Sequence, residues 1–264
     1  MNLIEVIVLA IIEGLTEFLP VSSTGHMIIA TALMGIEPTA FVKLFTIVIQ
    51  LGTILSVLVL YYKRFFRSMA FYYKLVVAAI PASILGLALN DYIDQWLESP
   101  LMVAVSLVIG GVILLFVDKW FKKPSLDNSD DISYGQAFKI GLYQCLALIP
   151  GTSRSASTIV GGMTQQLTRK AAAEFSFFLA LPMMFGASLV KLLKFFKEGN
   201  TFTPDEINLL IIGNVVGFIV AIIAIKSFIG ILTKYGFKAF GWYRIIVGLL
   251  IIALLMSGHS LQII

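Results

Sequence analysis

The chain has 264 residues, of which 59% are hydrophobic and only 13% are charged. Soluble domains average about 45–50% apolar and about 25% charged residues, so this composition excludes a water-soluble globular protein. It predicts a single all-α polytopic membrane domain over residues 1–264. The formal net charge of +4 does not indicate nucleic-acid binding, because excess Lys and Arg in membrane proteins usually mark cytoplasmic loops.

The first apolar segment, Leu3 to Leu33, is broken at Pro20, and a later segment, Gln136 to Gln166, is broken at Pro150. Each half-helix is too short to cross a bilayer comfortably, because a crossing needs about 20 residues. Irregular backbone at membrane depth survives only where it is buried in protein or lines a wet cavity. We therefore expect two re-entrant helical hairpins.

Longer apolar runs predict six transmembrane helices, because each is long enough to cross with the help of its polar ends. The runs are Phe41–Tyr62, Leu75–Leu89, Leu101–Val117, Ala171–Leu193, Ile207–Ile225 and Ile245–Ser257.

The two broken segments occupy matching positions in two halves of the chain, 1–132 and 133–264. Pro20 aligns with Pro150, and Ser23 aligns with Ser153. Three crossings per half is an odd number, so the second half must enter the membrane inverted. Broken segments at matching positions point to a site between inverted repeats.

Loop charges predict the orientation. A basic loop follows Tyr62, and an acidic loop without Lys or Arg precedes Pro100, so the first should be cytoplasmic and the second external. The charged residues concerned are Lys63, Arg64, Arg67 and Lys74 in the basic loop, and Asp91, Asp94 and Glu98 in the acidic loop. The first hairpin then enters from outside and the second from the cytoplasm, with their tips meeting at depth.

Glu13 and Glu17 are four residues apart, so both lie on one face of a helix. Two carboxylates at this short separation repel each other unless a cation or a proton lies between them. A divalent metal such as Mg²⁺, which takes one or two carboxylates plus substrate phosphate, would resolve the repulsion. Shared protonation, or a pair of interfacial carboxylates reaching water, is the alternative.

The residues after Pro20 are small and polar, and they lead into a new helix. Ser22, Ser23 and Thr24 indicate a cradle for an anion at the helix start, although ordinary capping should account for one of these hydroxyls. His26 could take the proton of Ser23 or pair with a carboxylate. A lone buried histidine is otherwise a satisfied core residue.

Arg154, at the second break, needs an anionic partner at membrane depth. Its planar fork suits phosphate, and further hydroxyl donors surround it on Ser153, Ser155 and Thr158. The alternative is an ion pair with Glu13 or Glu17, which would also bring the two tips together.

Gln50 is a polar residue within a predicted span. It could be a hydrogen-bonding contact between helices or a supporting ligand of the site, and the sequence does not choose between them.

Together the tips supply carboxylates, an imidazole, hydroxyls and a guanidinium. This set suits phosphoryl transfer, which needs charge neutralisation, a nucleophile and a proton acceptor. A site within the bilayer indicates a lipid substrate. A secondary transporter that flips a lipid phosphate is the alternative, because inverted repeats with broken helices also build transporters.

Two long motifs resemble the undecaprenyl-pyrophosphate phosphatase family of bacitracin-resistance membrane proteins. The motifs are EGLTEFLPVSSTGH at Glu13–His26 and PGTSRSAST at Pro150–Thr158, with QLG at Gln50–Gly52 and EFSF at Glu174–Phe177. The resemblance implies hydrolysis of undecaprenyl pyrophosphate to undecaprenyl phosphate and phosphate, which recycles the lipid carrier for peptidoglycan. It also implies a divalent cation, Mg²⁺ or Ca²⁺, and action at the outer face of the bacterial plasma membrane. A homodimer is left open.

By the same resemblance the active-site set is Glu13, Glu17, Ser23, His26 and Arg154, with Ser153 and Thr158 as supporting phosphate contacts. We expect Ser23 to attack the terminal phosphorus, with His26 or a glutamate as proton acceptor. In a second version water attacks directly and Ser23 only binds.

Overall fold

The computed structural model describes residues 1–66, 69–97, 99–121 and 124–257, and their regular structure is helical apart from one isolated bridge between Leu126 and Leu167. Two charged residues considered above, Arg67 and Glu98, lie outside the described residues. The helices are α1 Leu3–Thr16, α2 Ser23–Met34, α3 Ala40–Leu60, α4 Met69–Ala88, α5 Asn90–Leu97, α6 Pro100–Trp120, α7 Tyr134–Gln144, α8 Arg154–Thr164, α9 Arg169–Lys197, α10 Pro204–Tyr235 and α11 Lys238–Met256.

Among the described residues, 6 helices are long and apolar enough to cross a membrane, namely α3, α4, α6, α9, α10 and α11. They coincide with the six apolar runs, so this prediction is confirmed. Pro81 lies inside α4 and Pro182 inside α9. Membrane helices tolerate internal proline because neighbouring groups satisfy the freed backbone atoms.

The two broken segments are pairs of short helices. Helices α1 and α2 have 14 and 12 residues, and α7 and α8 have 11 each. At 1.5 Å per residue, none of these helices spans a hydrocarbon core of about 30 Å. Both pairs begin with a capping box, formed by Asn2 with Glu5 and by Ser133 with Gln136. These side chains satisfy backbone N–H groups at the helix start and fix where each pair begins.

The two halves of the chain interleave. Helix α10, from the second half, packs on α1 and α3, and α4, from the first half, packs on α7 and α9. Each short pair is therefore held by a long helix of the opposite half. This arrangement surrounds the turns between the short helices with protein.

Helices α3 and α9 run antiparallel against each other. At one end Ser188 donates to the carbonyl of Ile47 at 3.3 Å, and at the other end Arg64 forms an ion pair with Glu174. Arg64 also bonds to residues of the segment that joins the two halves, among them Asp130 at 3.2 Å. Glu174, part of the family-like motif EFSF, thus stabilises this end of the bundle, whereas Ser176 two residues later reaches the candidate site.

Helices α6 and α11 also run antiparallel and lie very close together. A Cβ atom added to Gly111 would lie 2.7 Å from the carbonyl oxygen of Gly241, and one added to Gly248 would lie 2.8 Å from that of Ala104. Real Cβ atoms do not approach backbone this closely, so glycine is required at these crossings. The close contact brings the first turns of α11 against the centre of the molecule.

Candidate active site

Two buried carboxylates end the first short helix. Glu13 lies in the last turn of α1 and Glu17 directly follows the helix, and they are 1% and 9% exposed. The backbone N–H of Glu17 donates to the carbonyl of Glu13 at 3.0 Å, which continues the helical geometry through Glu17. Both carboxylates therefore lie on one face, as the spacing predicts.

The hydroxyl of Ser23, at the start of α2, donates to Oε2 of Glu17 at 2.7 Å. An ionised carboxylate can only accept a hydrogen bond, so the direction of this bond is fixed. A hydroxyl bonded to a base is the arrangement of an activated nucleophile. Of the acceptors considered for the Ser23 proton, the structure places Glu17 in contact with it.

Arg154 connects the two halves at this point. Its Nη2 atom is 3.0 Å from Oε1 of Glu17, and its Nη1 atom donates to the carbonyl of Ser176 at 2.9 Å. The guanidinium lies over the ring of Phe18, 5.7 Å from the ring centre. Glu17 is thus shared between a nucleophile candidate of the first half and a cation of the second.

The hydroxyls around Arg154 are engaged with the protein. Ser155 donates to the carbonyl of Leu19 at 2.7 Å, and this bond also joins the two halves. Thr158 and Ser176 share a hydrogen bond of 2.6 Å, and Ser153 accepts one from the backbone N–H of Ala156. These bonds fix the second turn in place. The expected role of Ser153, Ser155 and Thr158 as phosphate contacts stays a prediction.

Both turns contain a serine with an unusual backbone. Ser22 has φ 68° and Ser153 has φ 74°, in the region that side chains other than glycine rarely adopt. Each is the residue immediately before a helix, α2 or α8. Ser153 caps its helix, whereas Ser22 makes no capping bond with its side chain. The expectation that ordinary capping accounts for one of the hydroxyls of Ser22, Ser23 and Thr24 is therefore wrong, because the observed N-cap residue, Ser22, makes no such bond.

His26 lies in the first turn of α2 and bonds to groups that the sequence did not indicate. Its Nδ1 atom is 2.8 Å from the carbonyl of Ser22, and its Nε2 atom is 2.7 Å from the hydroxyl of Tyr243. A carbonyl only accepts, so Nδ1 carries a proton and, in the neutral ring, Nε2 accepts from Tyr243. His26 therefore bonds neither to Ser23 nor to a carboxylate among the described residues.

Two of the expected site residues make no side-chain hydrogen bond in the part of the chain that the structure describes. Thr24 lies half-buried in the first turn of α2, and Gln50 lies half-buried within α3. Next to Gln50, the backbone N–H of Gly52 donates to Asn214 on α10 at 2.7 Å. The polar group that joins these two helices is therefore Asn214, and the two interpretations of Gln50 stay open.

The sequence reasoning missed Tyr243, Arg244 and Ser176. Arg244 is completely buried and donates to the carbonyls of both turns, including Gly151 and Thr152 at 2.9 Å each. Its signal was available, because it directly precedes the last apolar run and an arginine beside hydrocarbon needs a partner. Ser176 gave no such signal, since a serine within an apolar helix is common.

The carboxylate pair fits a divalent cation. No cluster of three or more His, Cys, Asp or Glu side chains lies anywhere in the described residues, so a cage made only of protein ligands is not formed there. The Oε1 atom of Glu13 is buried and has no hydrogen-bond partner among the described residues, although buried polar atoms are normally paired. One or two carboxylates, completed by substrate phosphate and water, are the usual ligand set of Mg²⁺.

Comparison with known proteins identifies the family of this chain. Residues 6–250 match the family described as bacitracin resistance protein BacA. A protein of Flavobacterium johnsoniae named undecaprenyl-diphosphatase is 60% identical, with both chains fully covered. Proteins of the same name are 54% identical in Porphyromonas gingivalis, again with full coverage, and 46% identical in Aquifex aeolicus, over 93% of this chain and 95% of that one. This multi-pass membrane protein therefore belongs to the BacA family.

Proposed function

We infer that this protein is an undecaprenyl-diphosphatase, a membrane enzyme that hydrolyses undecaprenyl pyrophosphate to undecaprenyl phosphate and inorganic phosphate. The reaction regenerates the lipid carrier for peptidoglycan synthesis and underlies bacitracin resistance. The names of relatives at 46–60% identity support this function. The observation that carries it is the shared contact of Glu17 with Ser23 and Arg154, because that contact joins a nucleophile, a base and a phosphate-binding cation.

The groups within hydrogen-bond distance of Glu17 support the following mechanism. The Arg154 guanidinium neutralises the terminal phosphoryl group, for which its planar fork is suited. Glu17 accepts the proton of Ser23 as the serine oxygen bonds to the terminal phosphorus, and the bond from that phosphorus to the bridging oxygen breaks. Undecaprenyl phosphate leaves, and water then hydrolyses the phosphoserine to release phosphate. In the alternative, water activated by Glu17 attacks directly and Ser23 orients the phosphate.

Glu13 and Glu17 would hold the divalent cation, Mg²⁺ or Ca²⁺. When bound, the cation supplies positive charge against the pyrophosphate oxygens, which phosphoryl transfer needs. The unpartnered Oε1 atom of Glu13 supports this assignment.

The two halves form an inverted repeat around this site. The antiparallel contacts of α3 with α9 and of α6 with α11 support this arrangement, since these helices hold corresponding positions in the two halves. So does the packing of α10 on α1, which corresponds to that of α4 on α7. The short helix pairs are re-entrant hairpins, and the basic end near Lys63, Arg64 and Lys74 faces the cytoplasm. The site opens to the outer face of the plasma membrane.

The purified protein in detergent micelles should release phosphate from undecaprenyl pyrophosphate. Micelles have no second compartment, so a transporter would show no turnover there. Removal of divalent cations with a chelator should lower the rate by at least about 100-fold, because the charge of the cation is lost at the transferring group. Added Mg²⁺ or Ca²⁺ should restore it. Full activity in chelator would contradict the cation assignment but not the phosphatase function.

The variant Ser23→Ala separates the two mechanisms. If Ser23 is the nucleophile, we expect phosphate release to fall by about 1,000-fold or more, because covalent attack is lost. Quenching the wild-type enzyme during turnover should then yield phosphoserine at position 23. Near-full turnover of the Ser23→Ala protein would instead favour direct attack by water. Ser257→Ala, at the end of α11, is the control and should behave as wild type.

A further inference from the structure

A second arginine, Arg244 on α11, lies against both turns without touching the groups that react. Its side chain is 0% exposed and is the largest fully buried side chain among the described residues. All of its hydrogen bonds go to backbone carbonyl oxygens. The acceptors are Gly151 and Thr152 at 2.9 Å, Pro20 and Ser106 at 3.2 Å, and Leu107 at 3.4 Å.

The positive charge of Arg244 is compensated by the dipoles of the backbone carbonyl groups that it binds. No acidic side chain of the described residues lies within ion-pair distance of it. A buried cation without a carboxylate is costly in a membrane protein, and it is kept where it has a function. A guanidinium has five N–H donors in a fixed plane, so it can hold several carbonyls in one relative arrangement. A lysine or an apolar side chain cannot.

Three of the five carbonyls that Arg244 binds belong to the two strained turns, and the other two belong to α6. Pro20 lies two residues before Ser22, and Thr152 lies directly before Ser153, the two serines with positive φ. Such backbone conformations are energetically unfavourable and persist only where the surroundings hold them. The first turn leads into Ser23 and the second into Arg154, so any shift of one turn against the other changes the separation of these two groups.

We propose that Arg244 is a positioning residue that keeps the turns of the two halves in register, so that Ser23 and Arg154 meet at Glu17. The proposal rests on the site described above. Misplacement of reacting groups by about 1 Å can cost about 100-fold in rate. Arg244 therefore acts on kcat through the two turns.

Gly110, which lies next to the guanidinium, allows the role of Arg244 to be tested without mutating Arg244. A Cβ atom added to Gly110 on α6 would overlap Nη2 of Arg244. The three atoms nearest to it all belong to the Arg244 side chain, and none is a backbone atom. Gly110→Ala should therefore displace a flexible guanidinium and leave the helices in place. Gly248→Ala is the matched control in the same helix pair, because its Cβ would crowd Val108, the Ala104 carbonyl and Leu107 Cβ, and its three nearest atoms include none of the Arg244 side chain.

We expect both alanine variants to lower the thermal midpoint, but only Gly110→Ala to lower kcat, by at least about 10-fold with KM changed less than about three-fold. Arg244→Lys should do the same, because a point charge cannot span the carbonyls of both turns. Each kcat is measured on the folded fraction recovered by size exclusion in detergent.

Unchanged kcat in both Gly110→Ala and Arg244→Lys would overturn the proposal. Equal losses of kcat in Gly110→Ala and Gly248→Ala would overturn it as well, because they would indicate a general packing effect. Arg154→Gln, measured alongside, tests the site separately. If Arg154→Gln retains activity, the proposed site fails; if it is inactive while the Arg244 variants are normal, only the positioning role fails.

Discussion

Replacing Glu17 with glutamine should lower the rate of phosphate release by about 1,000-fold. Glutamine keeps the shape of the side chain and an oxygen that can accept from Arg154, so the fold should persist. It cannot take up the proton of Ser23 or of water, and loss of a general base typically costs about 100-fold to 10,000-fold. The carboxylate also faces the proposed cation, so its loss weakens charge neutralisation as well.

Glu5→Gln is the matched control for this change. Glu5 lies on the same helix, α1, but it is only partly buried and bonds to Asn2 in the capping box. Glutamine preserves that motif, so the variant should release phosphate at the wild-type rate. Phosphate release and thermal unfolding in detergent are measured on both variants. A folded Glu17→Gln protein with more than about a tenth of wild-type activity would mean that Glu17 is not the base.

The spans and the breaks could be predicted from the sequence because they depend on local properties. A bilayer demands long apolar helices, and six runs of that kind stand out. Pro20 and Pro150 interrupt two further segments, and the structure has a helix on either side of each break. The charged groups at the breaks could be singled out for the same reason, since Glu17 and Arg154 are costly in hydrocarbon unless paired. The structure places these two in contact.

The partners within the site depend on tertiary packing and could not be predicted in the same way. His26 bonds to Tyr243, which is 217 positions away in the chain. Nothing local in either residue indicates that contact. Arg154 donates to the carbonyl of Ser176, and a backbone acceptor leaves no trace in the sequence. Patterns of residue type show which groups need partners, whereas the choice of partner follows from how the helices cross.

The proton acceptor illustrates this difference. The sequence left His26 and a glutamate open as acceptors of the Ser23 proton. The positive φ of Ser22 turns the chain at this point, and His26 then bonds back to the carbonyl of Ser22 while Ser23 bonds to Glu17. A strained backbone residue thus lies between the two candidate acceptors and accompanies the contact of Ser23 with Glu17, and such strain is typical of functional sites.

Arg154→Lys should lower phosphate release by about 1,000-fold or more, even though it conserves the charge. The guanidinium reaches Glu17 with one nitrogen and Ser176 with the other. A lysine ammonium is a single point and cannot hold both while it faces a phosphoryl group. Arginines that stabilise the charge of a transferring phosphoryl group raise kcat by about 1,000-fold to 100,000-fold. Most of that contribution depends on where the guanidinium lies relative to the phosphoryl group.

Arg169→Lys is the matched control, since Arg169 begins the adjacent helix α9 and forms an ion pair with Asp118 at 2.8 Å. That pair is partly exposed, and exposed pairs contribute little, so activity should be unchanged. Both variants are assayed for phosphate release at saturating lipid, so that weaker binding does not hide the effect on kcat. Equal activity of Arg154→Lys and Arg169→Lys would show that Arg154 is only a structural partner of Glu17, and that the transferring phosphoryl group is neutralised elsewhere.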